Sequence, residues 1–287
     1  VAAILDKLLG ATSSADFFTR HFASEPLLAP GAANWALDLA TPSTCERLLT
    51  HPRVDVMFAR EGVPHPGPRP DLEAANRLFA AGYTWVLRDV DRGDSALAEF
   101  GRSLASDVHG TLHLQLYRTP AARFGFGWHF DPEEVFYIQT VGKKRLRLRR
   151  NTQHPWPLQQ AMPTHLTADA EPTEVVEYML APGDVLYIPS GCWHAADALE
   201  PTVSISAGVL APSPLDALQL VLVELAKEPK WRRRLPAMGR ASPSSEDERR
   251  TRWRVELDAL DAEVHRRLES PELVTHLFAS SGWWKQR

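Results

Sequence analysis

The segment GWHFDPEEVFYIQTVGKKRLRLRR, residues 127–150, sets an imidazole and a carboxylate one residue apart, at His129 and Asp131. In an extended strand, residues two apart share a face. The two side chains therefore project together and can converge on one ion, while Trp128 and Phe130 point the other way. The best third partner is His194, in APGDVLYIPSGCWHAA, where turn residues bracket a short buried strand, Val185 to Ile188, and His194 opens the next one. Two histidines and one carboxylate make the facial set of a non-haem Fe(II) oxygenase centre, with positions left open for a co-substrate and O2. Structural zinc asks for a fourth protein ligand and favours thiolates. Cys192, two residues before His194, is the available thiol and reads as core packing.

The cations that follow add a second requirement. After a turn at Val141-Gly142-Lys143, alternation puts Lys144 on the face of Leu146 and Leu148, the expected interior, and sends Arg145, Arg147 and Arg149 to solvent. A lysine among leucines is costly to bury alone and needs an anion. The carboxylate of a small dicarboxylate co-substrate supplies one as a charge-assisted pair. The plainer alternative is that Lys144 snorkels, its stem packed and its head wet.

These residues need a scaffold, and the chain shows three zones. Up to about residue 110, helical patterns mix with short strands: Ser13 or Ser14 can cap a helix carrying Phe17, Phe18 and Phe22, and Asp71 can cap a helix that Gly82 stops, ahead of the strand YTWVLRDV. From about 111 to 211 come short β-rich runs separated by Pro, Gly and Asp, the pattern of a sandwich or barrel. From 213 to 287 the chain turns helical. An apolar helix follows PSPLDALQ, then a basic link with Arg232, Arg233 and Arg234. Ser245 and Glu248 next have capping-box spacing ahead of a helix with Trp253, Leu257, Leu260, Val264 and Leu268 on one side. The expected organisation is a mainly β domain with flanking helices, 1–212, and a helical region, 213–287. The latter serves as a covering layer or as a homodimerisation element.

Composition limits the partners. With 287 residues, 44% hydrophobic and 24% charged, this is the composition of an ordinary globular chain, and a net charge of −4 argues against coating nucleic acid. No apolar run is long enough to span a membrane, and VAAILDKLLG lacks a secretory cleavage pattern. Two cysteines are too few for a disulfide scaffold, which fits a reducing, cytoplasmic setting.

From about residue 14 to 212 the chain resembles the JmjC-type 2-oxoglutarate oxygenases of the cupin superfamily, and the ribosomal oxygenases in particular. The resemblance rests on the ordered combination of DFFTRHFASEPLLAPG, YTWVLRDV, LHLQLYRTP, GWHFDPEEVFYIQTVGKKRLRL and APGDVLYIPSGCWHAA. It implies an eight-stranded double-stranded β-helix, a jelly-roll barrel with iron at one mouth on His129, Asp131 and His194. It implies that Lys144 pairs with the distal carboxylate of 2-oxoglutarate. Gln115 falls where relatives place a polar residue that helps hold the co-substrate, and Ser204 or Ser206, sharing a face of the last barrel strand, makes a further contact. The implied cofactors are Fe(II), 2-oxoglutarate and O2, and the implied reaction is hydroxylation with release of succinate and CO2. Bacterial ribosomal oxygenases of this kind continue into a helical dimerisation region and a winged-helix domain. The roughly 75 residues after this barrel hold helices but not both modules, which leaves the substrate open.

Three other readings share some of these residues: an oxygenase acting on a free small molecule, a metal-dependent cupin that does not use 2-oxoglutarate, and a zinc hydrolase with Glu133 or Glu134 as base. Trp128, Tyr137, Trp193 and Tyr117 are candidates to shape a substrate pocket. Asp169, Glu171, Glu174 and Glu177, with Glu133 and Glu134, form an expected acidic rim suited to a basic polypeptide, whether a ribosomal protein or the precursor of a peptide natural product.

Overall fold

Alternating burial along β-rich runs separates a barrel interior from a helix-covered outer face in the computed structural model, which describes residues 3–235, 245–273 and 275. The strands are β1 (Leu27–Ala29), β2 (Asp55–Arg60), β3 (Val63–Pro64), β4 (Thr84–Arg88), β5 (Thr111–Thr119), β6 (Glu134–Val141), β7 (Lys144–Arg149), β8 (Val176–Leu180), β9 (Val185–Ile188), β10 (Trp193–Ala198) and β11 (Thr202–Leu210). They form a larger sheet ordered β1-β9-β6-β11-β5-β4-β2-β3 and a smaller one ordered β10-β7-β8, with antiparallel pairing throughout. β5 to β11 make the double-stranded β-helix.

Seven of its strands have full ladders. The eighth, between β5 and β6, is irregular: segment 120–131 meets β10 only at two isolated bridges, Arg123 with Ala198 and His129 with His194. The expectation that His129 and Asp131 lie within a strand is therefore corrected; they lie in the loop before β6. Pro120, Gly125, Gly127 and Pro132 explain the interruption, because proline donates no ladder hydrogen bond and glycine packs no side chain against the sheet. His129 keeps its phase because its bridge to His194 survives.

On the outer face of the larger sheet, Leu114, Leu116, Phe136, Ile138, Ile205 and Tyr187 are buried in one cluster with Leu8, Phe17, Leu97, Phe100 and Leu104 from the preceding helices. Each such side chain contributes about 1.5–3 kcal/mol on burial. The helix Ser95–Val108 starts where Asp94 accepts hydrogen bonds from the amides of Ala96 (2.9 Å) and Leu97 (3.0 Å). Asp71 caps Leu72–Ala80 and Ser13 caps Ser14–Asp16 in the same way. A smaller cluster inside the barrel holds Val135, Tyr137, Leu146, Leu148, Leu186, Ile188 and Cys192.

β7 alternates as expected, with Lys144, Leu146 and Leu148 buried. Its position is fixed by Gly142, whose φ of +70° suits glycine and where a Cβ would collide with the Pro201 carbonyl. The arginines depart from expectation, being half-buried rather than simply solvated. Arg145 and Arg147 share Asp197 at 3.1 and 3.2 Å. Arg149 donates to the carbonyls of Ala168 and Glu171, both at 2.7 Å, and to that of Thr173. The planar fork of Arg149 ties down the long connection between β7 and β8.

Contacts divide the chain into Val1–Ala211 and Pro212–Arg287. In the second unit, capping boxes at Ser213/Asp216 and Ser245/Glu248 start the helices Pro214–Lys227 and Glu246–Leu268. The expected stripe on the longer helix is only partly inward: Trp253, Leu260 and Val264 are half-buried, while Leu257 and Leu268 are exposed. The inward face also carries Arg249 and Arg267, the latter paired with Glu263 and Glu228. Residues 236–244 of the basic link lie outside the described residues. Among the described residues, no helix is long and apolar enough to cross a membrane.

Candidate active site

His129, Asp131 and His194 meet at the barrel mouth, each offering one ligand atom within 4.8 Å of the others. Asp131 Oδ2 lies 3.5 Å from His194 Nε2 and 3.9 Å from His129 Nε2. The backbone sets this meeting: the amides of His129 and His194 each donate to the other's carbonyl, and the Gly191 amide donates to the Asp131 carbonyl at 2.8 Å. Both imidazoles are oriented from behind. Nδ1 of His129 donates to the Gly127 carbonyl at 2.8 Å, and Nδ1 of His194 donates to that of Cys192 at 3.0 Å. A carbonyl can only accept, so both Nδ1 atoms carry hydrogen and both Nε2 atoms face the centre, as a metal ligand requires.

The electrostatics favour positive charge there. Burial opposes ionisation of Asp131, but the hydrogen bond and field of His194 outweigh it and hold the carboxyl low, at about 2. Burial pulls His194 down, yet the hydrogen bond it donates to the Asp131 carboxylate, with that group's charge, more than offsets this, so the imidazole is raised. His129 is lowered to about 4 by burial and by its neighbour His194, which keeps its Nε2 lone pair available.

The three face a cleft of about 580 Å³, counting its open mouth. Val135, Leu146, Ile188 and Ala196 form its apolar wall, and Lys144 stands on the same wall. Lys144 is 3% exposed, so it does not snorkel. Its ammonium donates to Tyr137 Oη (2.7 Å), Ser204 Oγ (3.2 Å) and Thr119 Oγ1 (3.5 Å), and no ion pair joins it to a carboxylate among the described residues. Three hydroxyls satisfy its donors without neutralising its charge, and a carboxylate ligand would do so.

The other expected site residues divide. Ser206 lines the cleft, and Ser204 stands behind it on Lys144 and Tyr137. Gln115 is outside the lining and accepts from Tyr117 Oη at 3.0 Å. Tyr117 is pushed up by burial and by Asp131, so its phenol stays a donor. Tyr117 and Tyr137 line the cleft as expected. Trp128 lies instead against Arg147, and Trp193 is buried against Phe130. Thr84, Thr119 and Phe126 line the cleft unforeseen. Period-two alternation from Gln115 through Tyr117 to Thr119 carried the signal for Thr119, whereas Phe126 sits in the irregular segment and had none.

Cys192 bonds the Arg149 carbonyl at 3.4 Å, and burial pushes its thiol up to about 12, the behaviour of a packed and unreactive group. The acidic rim is largely corrected. Glu171 is buried and accepts from the Thr152 amide (3.0 Å) and Trp193 Nε1 (3.2 Å). Glu134 is buried on Tyr187 Oη and the Ser190 amide, and Glu133 is bound to His113. A free base for hydrolysis is thus absent at either glutamate. Only Asp169, Glu174 and Glu177 remain exposed.

Comparison with known proteins agrees with this geometry. The JmjC domain family matches residues 98–217, a span that holds the three converging residues and Lys144. This segment is similar to that family. The chain is 26% identical over 204 residues to the ribosomal protein uL16 3-hydroxylase of Escherichia coli (strain K12), covering 69% of this chain and 52% of that protein. It is 28% identical over 204 residues to human ribosomal oxygenase 1, covering 67% of this chain and 32% of that one. The chain thus spans about half the length of the first relative and about a third of the second. The structure of YcfD, a ribosomal oxygenase from Escherichia coli in complex with cobalt and 2-oxoglutarate, superposes with a TM-score of 0.65 at 23% identity, covering 94% of this chain and 71% of that one. The chain therefore shares its fold with these oxygenases.

Proposed function

We propose that the chain is an Fe(II)- and 2-oxoglutarate-dependent oxygenase that hydroxylates an amino-acid side chain in a polypeptide. The observation that carries this is the presence, in one cleft, of the His129–Asp131–His194 set and a buried, hydroxyl-bound lysine. A cupin that uses only its metal has no need for a buried ammonium. The complex of YcfD with cobalt and 2-oxoglutarate supports the same pairing of ligands, and the names of the relatives support a ribosomal-protein substrate.

His129, Asp131 and His194 would hold the ion. With 2-oxoglutarate and O2, the bound iron supplies the oxidising power to turn a C–H bond into C–OH, with release of succinate and CO2. Lys144 would anchor the distal carboxylate, and Tyr137 and Ser204 hold its ammonium in place. Ser206 is close enough along β11 to add a contact, while Gln115 acts through Tyr117. The apolar wall of Val135, Leu146 and Ile188 excludes water. Tyr117 and Phe126, which meet edge-to-face near His129, border the mouth where a substrate side chain enters.

The two free, buried cysteines support work in the reducing cytoplasm, and the exposed Leu222, Leu257 and Leu268 of the second unit support a homodimer through its helices. The substrate class is tested by comparing 2-oxoglutarate turnover with basic ribosomal-protein peptides, peptides encoded beside this gene and free amino acids. A gain of one oxygen on a polypeptide is expected. Coupled hydroxylation of a free amino acid, with no polypeptide accepted, overturns the polypeptide assignment.

A further inference from the structure

We infer that Glu133, His113 and Gly208 form a strap that holds the ligand-bearing loop against the larger sheet and so sets the spacing of the metal ligands. This rests on the metal site proposed above. His129 and Asp131 lie outside any ladder, and the single bridge from His129 to His194 is the strand pairing that reaches them, so further contacts must help to fix the loop. On one margin, the loop is pinned to the turn before β10: the Gly191 amide donates to the Asp131 carbonyl at 2.8 Å, and Ser190 Oγ donates to that of Pro132 at 3.0 Å. On the other margin, the side chain of Glu133 extends across the sheet.

Its path is legible in the register. β11 lies between β6 and β5, and Gly208 stands opposite both Val135 and His113. Glu133 passes over Gly208 and accepts a hydrogen bond from Nδ1 of His113. A Cβ at position 208 would lie 2.9 Å from Oε2 and 3.0 Å from Cδ of Glu133. Gly208 sits in a regular strand without positive φ, so glycine is needed there for space and not for conformation. The Glu133 and His113 side chains are 14% and 25% exposed, so their contact is partly shielded from water. Asp131 is two residues upstream, separated only by the stiff Pro132. The strap therefore restrains the loop on the side that backbone pairing leaves open. Neither Glu133 nor His113 lines the cleft, and both are positioning residues.

The test measures Co(II) affinity by equilibrium dialysis and thermal unfolding of the metal-free protein. Glu133→Ala and Gly208→Ala should each weaken Co(II) binding about 10-fold, the lower range for loss of a group supporting metal ligands. The double variant should bind no worse than either single, because both break one contact. It should also unfold at a higher temperature than Gly208→Ala alone, since shortening Glu133 relieves the crowding. Glu133→Gln, which still accepts from His113, should retain near wild-type affinity. If Gly208→Ala does not fold, Glu133→Ala decides. Wild-type Co(II) affinity in Glu133→Ala overturns the strap while leaving the metal site intact. A wild-type protein that takes up no Co(II) overturns the metal site and the strap with it.

Discussion

His129 and His194 are joined through the backbone independently of any ion: the His129 amide donates to the His194 carbonyl at 3.1 Å, and the His194 amide donates back at 2.8 Å. This double bridge registers two ligands on different segments, and their ring centroids lie 4.2 Å apart. Asp131 is attached to the same frame by its own carbonyl. Its side chain can therefore be removed without releasing the loop.

Asp131→Ala should consequently lose metal rather than fold. Co(II) affinity should fall by more than the roughly 100-fold that loss of an outer supporting group reaches. The metal-free variant should still unfold cooperatively, losing at most the roughly 1.5–3 kcal/mol of a charge-assisted hydrogen bond to His194. Equilibrium dialysis beside calorimetry checks both.

Lys144→Met should separate stability from function. A buried charge with only hydroxyl partners is costly, and an apolar residue of similar length avoids that cost. Tyr137 Oη and Ser204 Oγ remain paired to each other at 2.6 Å. The metal-free variant should be more stable than wild type, by about 1–3 kcal/mol, while its KM for 2-oxoglutarate rises strongly and Co(II) affinity is nearly unchanged. Urea unfolding and co-substrate titration measure the two effects.

Regular parts of this molecule were legible in the sequence, and irregular parts were not. Alternation in KRLRLR placed Lys144 inside, and turn residues around VLYI placed His194 at the start of a strand. Capping residues Asp71 and Ser245 marked helix starts that the structure has. The ligand pair His129 and Asp131 was found for a reason that holds only in part, because segment 120–131 is too interrupted to form a strand and keeps its phase through one bridge. Glu171 and Glu134 looked like solvent-facing charges because composition carries no sign of the amides and hydroxyls that fold over them. Gly208 and the Glu133–His113 contact join residues far apart in the chain, and no local pattern announces them.

Glu134→Gln should change the pH profile of stability. Burial raises the Glu134 carboxyl above its ordinary value of 4.5, against the hydrogen bonds from Tyr187 and Ser190. The folded form thus holds its proton to higher pH than the unfolded chain. That contribution is complete below about 4.5 and is lost as pH rises through the folded value. Glutamine does not titrate, so wild type should lose stability relative to Glu134→Gln over that rise, and the difference should level off above it. Thermal melts across the range read the effect.

The most direct measurement is Fe(II)-dependent conversion of 2-oxoglutarate to succinate by the purified wild-type protein, beside Asp131→Ala and Lys144→Ala at the same co-substrate concentration. Wild type should form succinate only when iron is added. Asp131→Ala should form none. Lys144→Ala should recover part of its rate when 2-oxoglutarate is raised, because its metal ligands are intact. Succinate formation that is equal in all three proteins, or absent from folded, iron-loaded wild type supplied with basic polypeptides, would contradict the account.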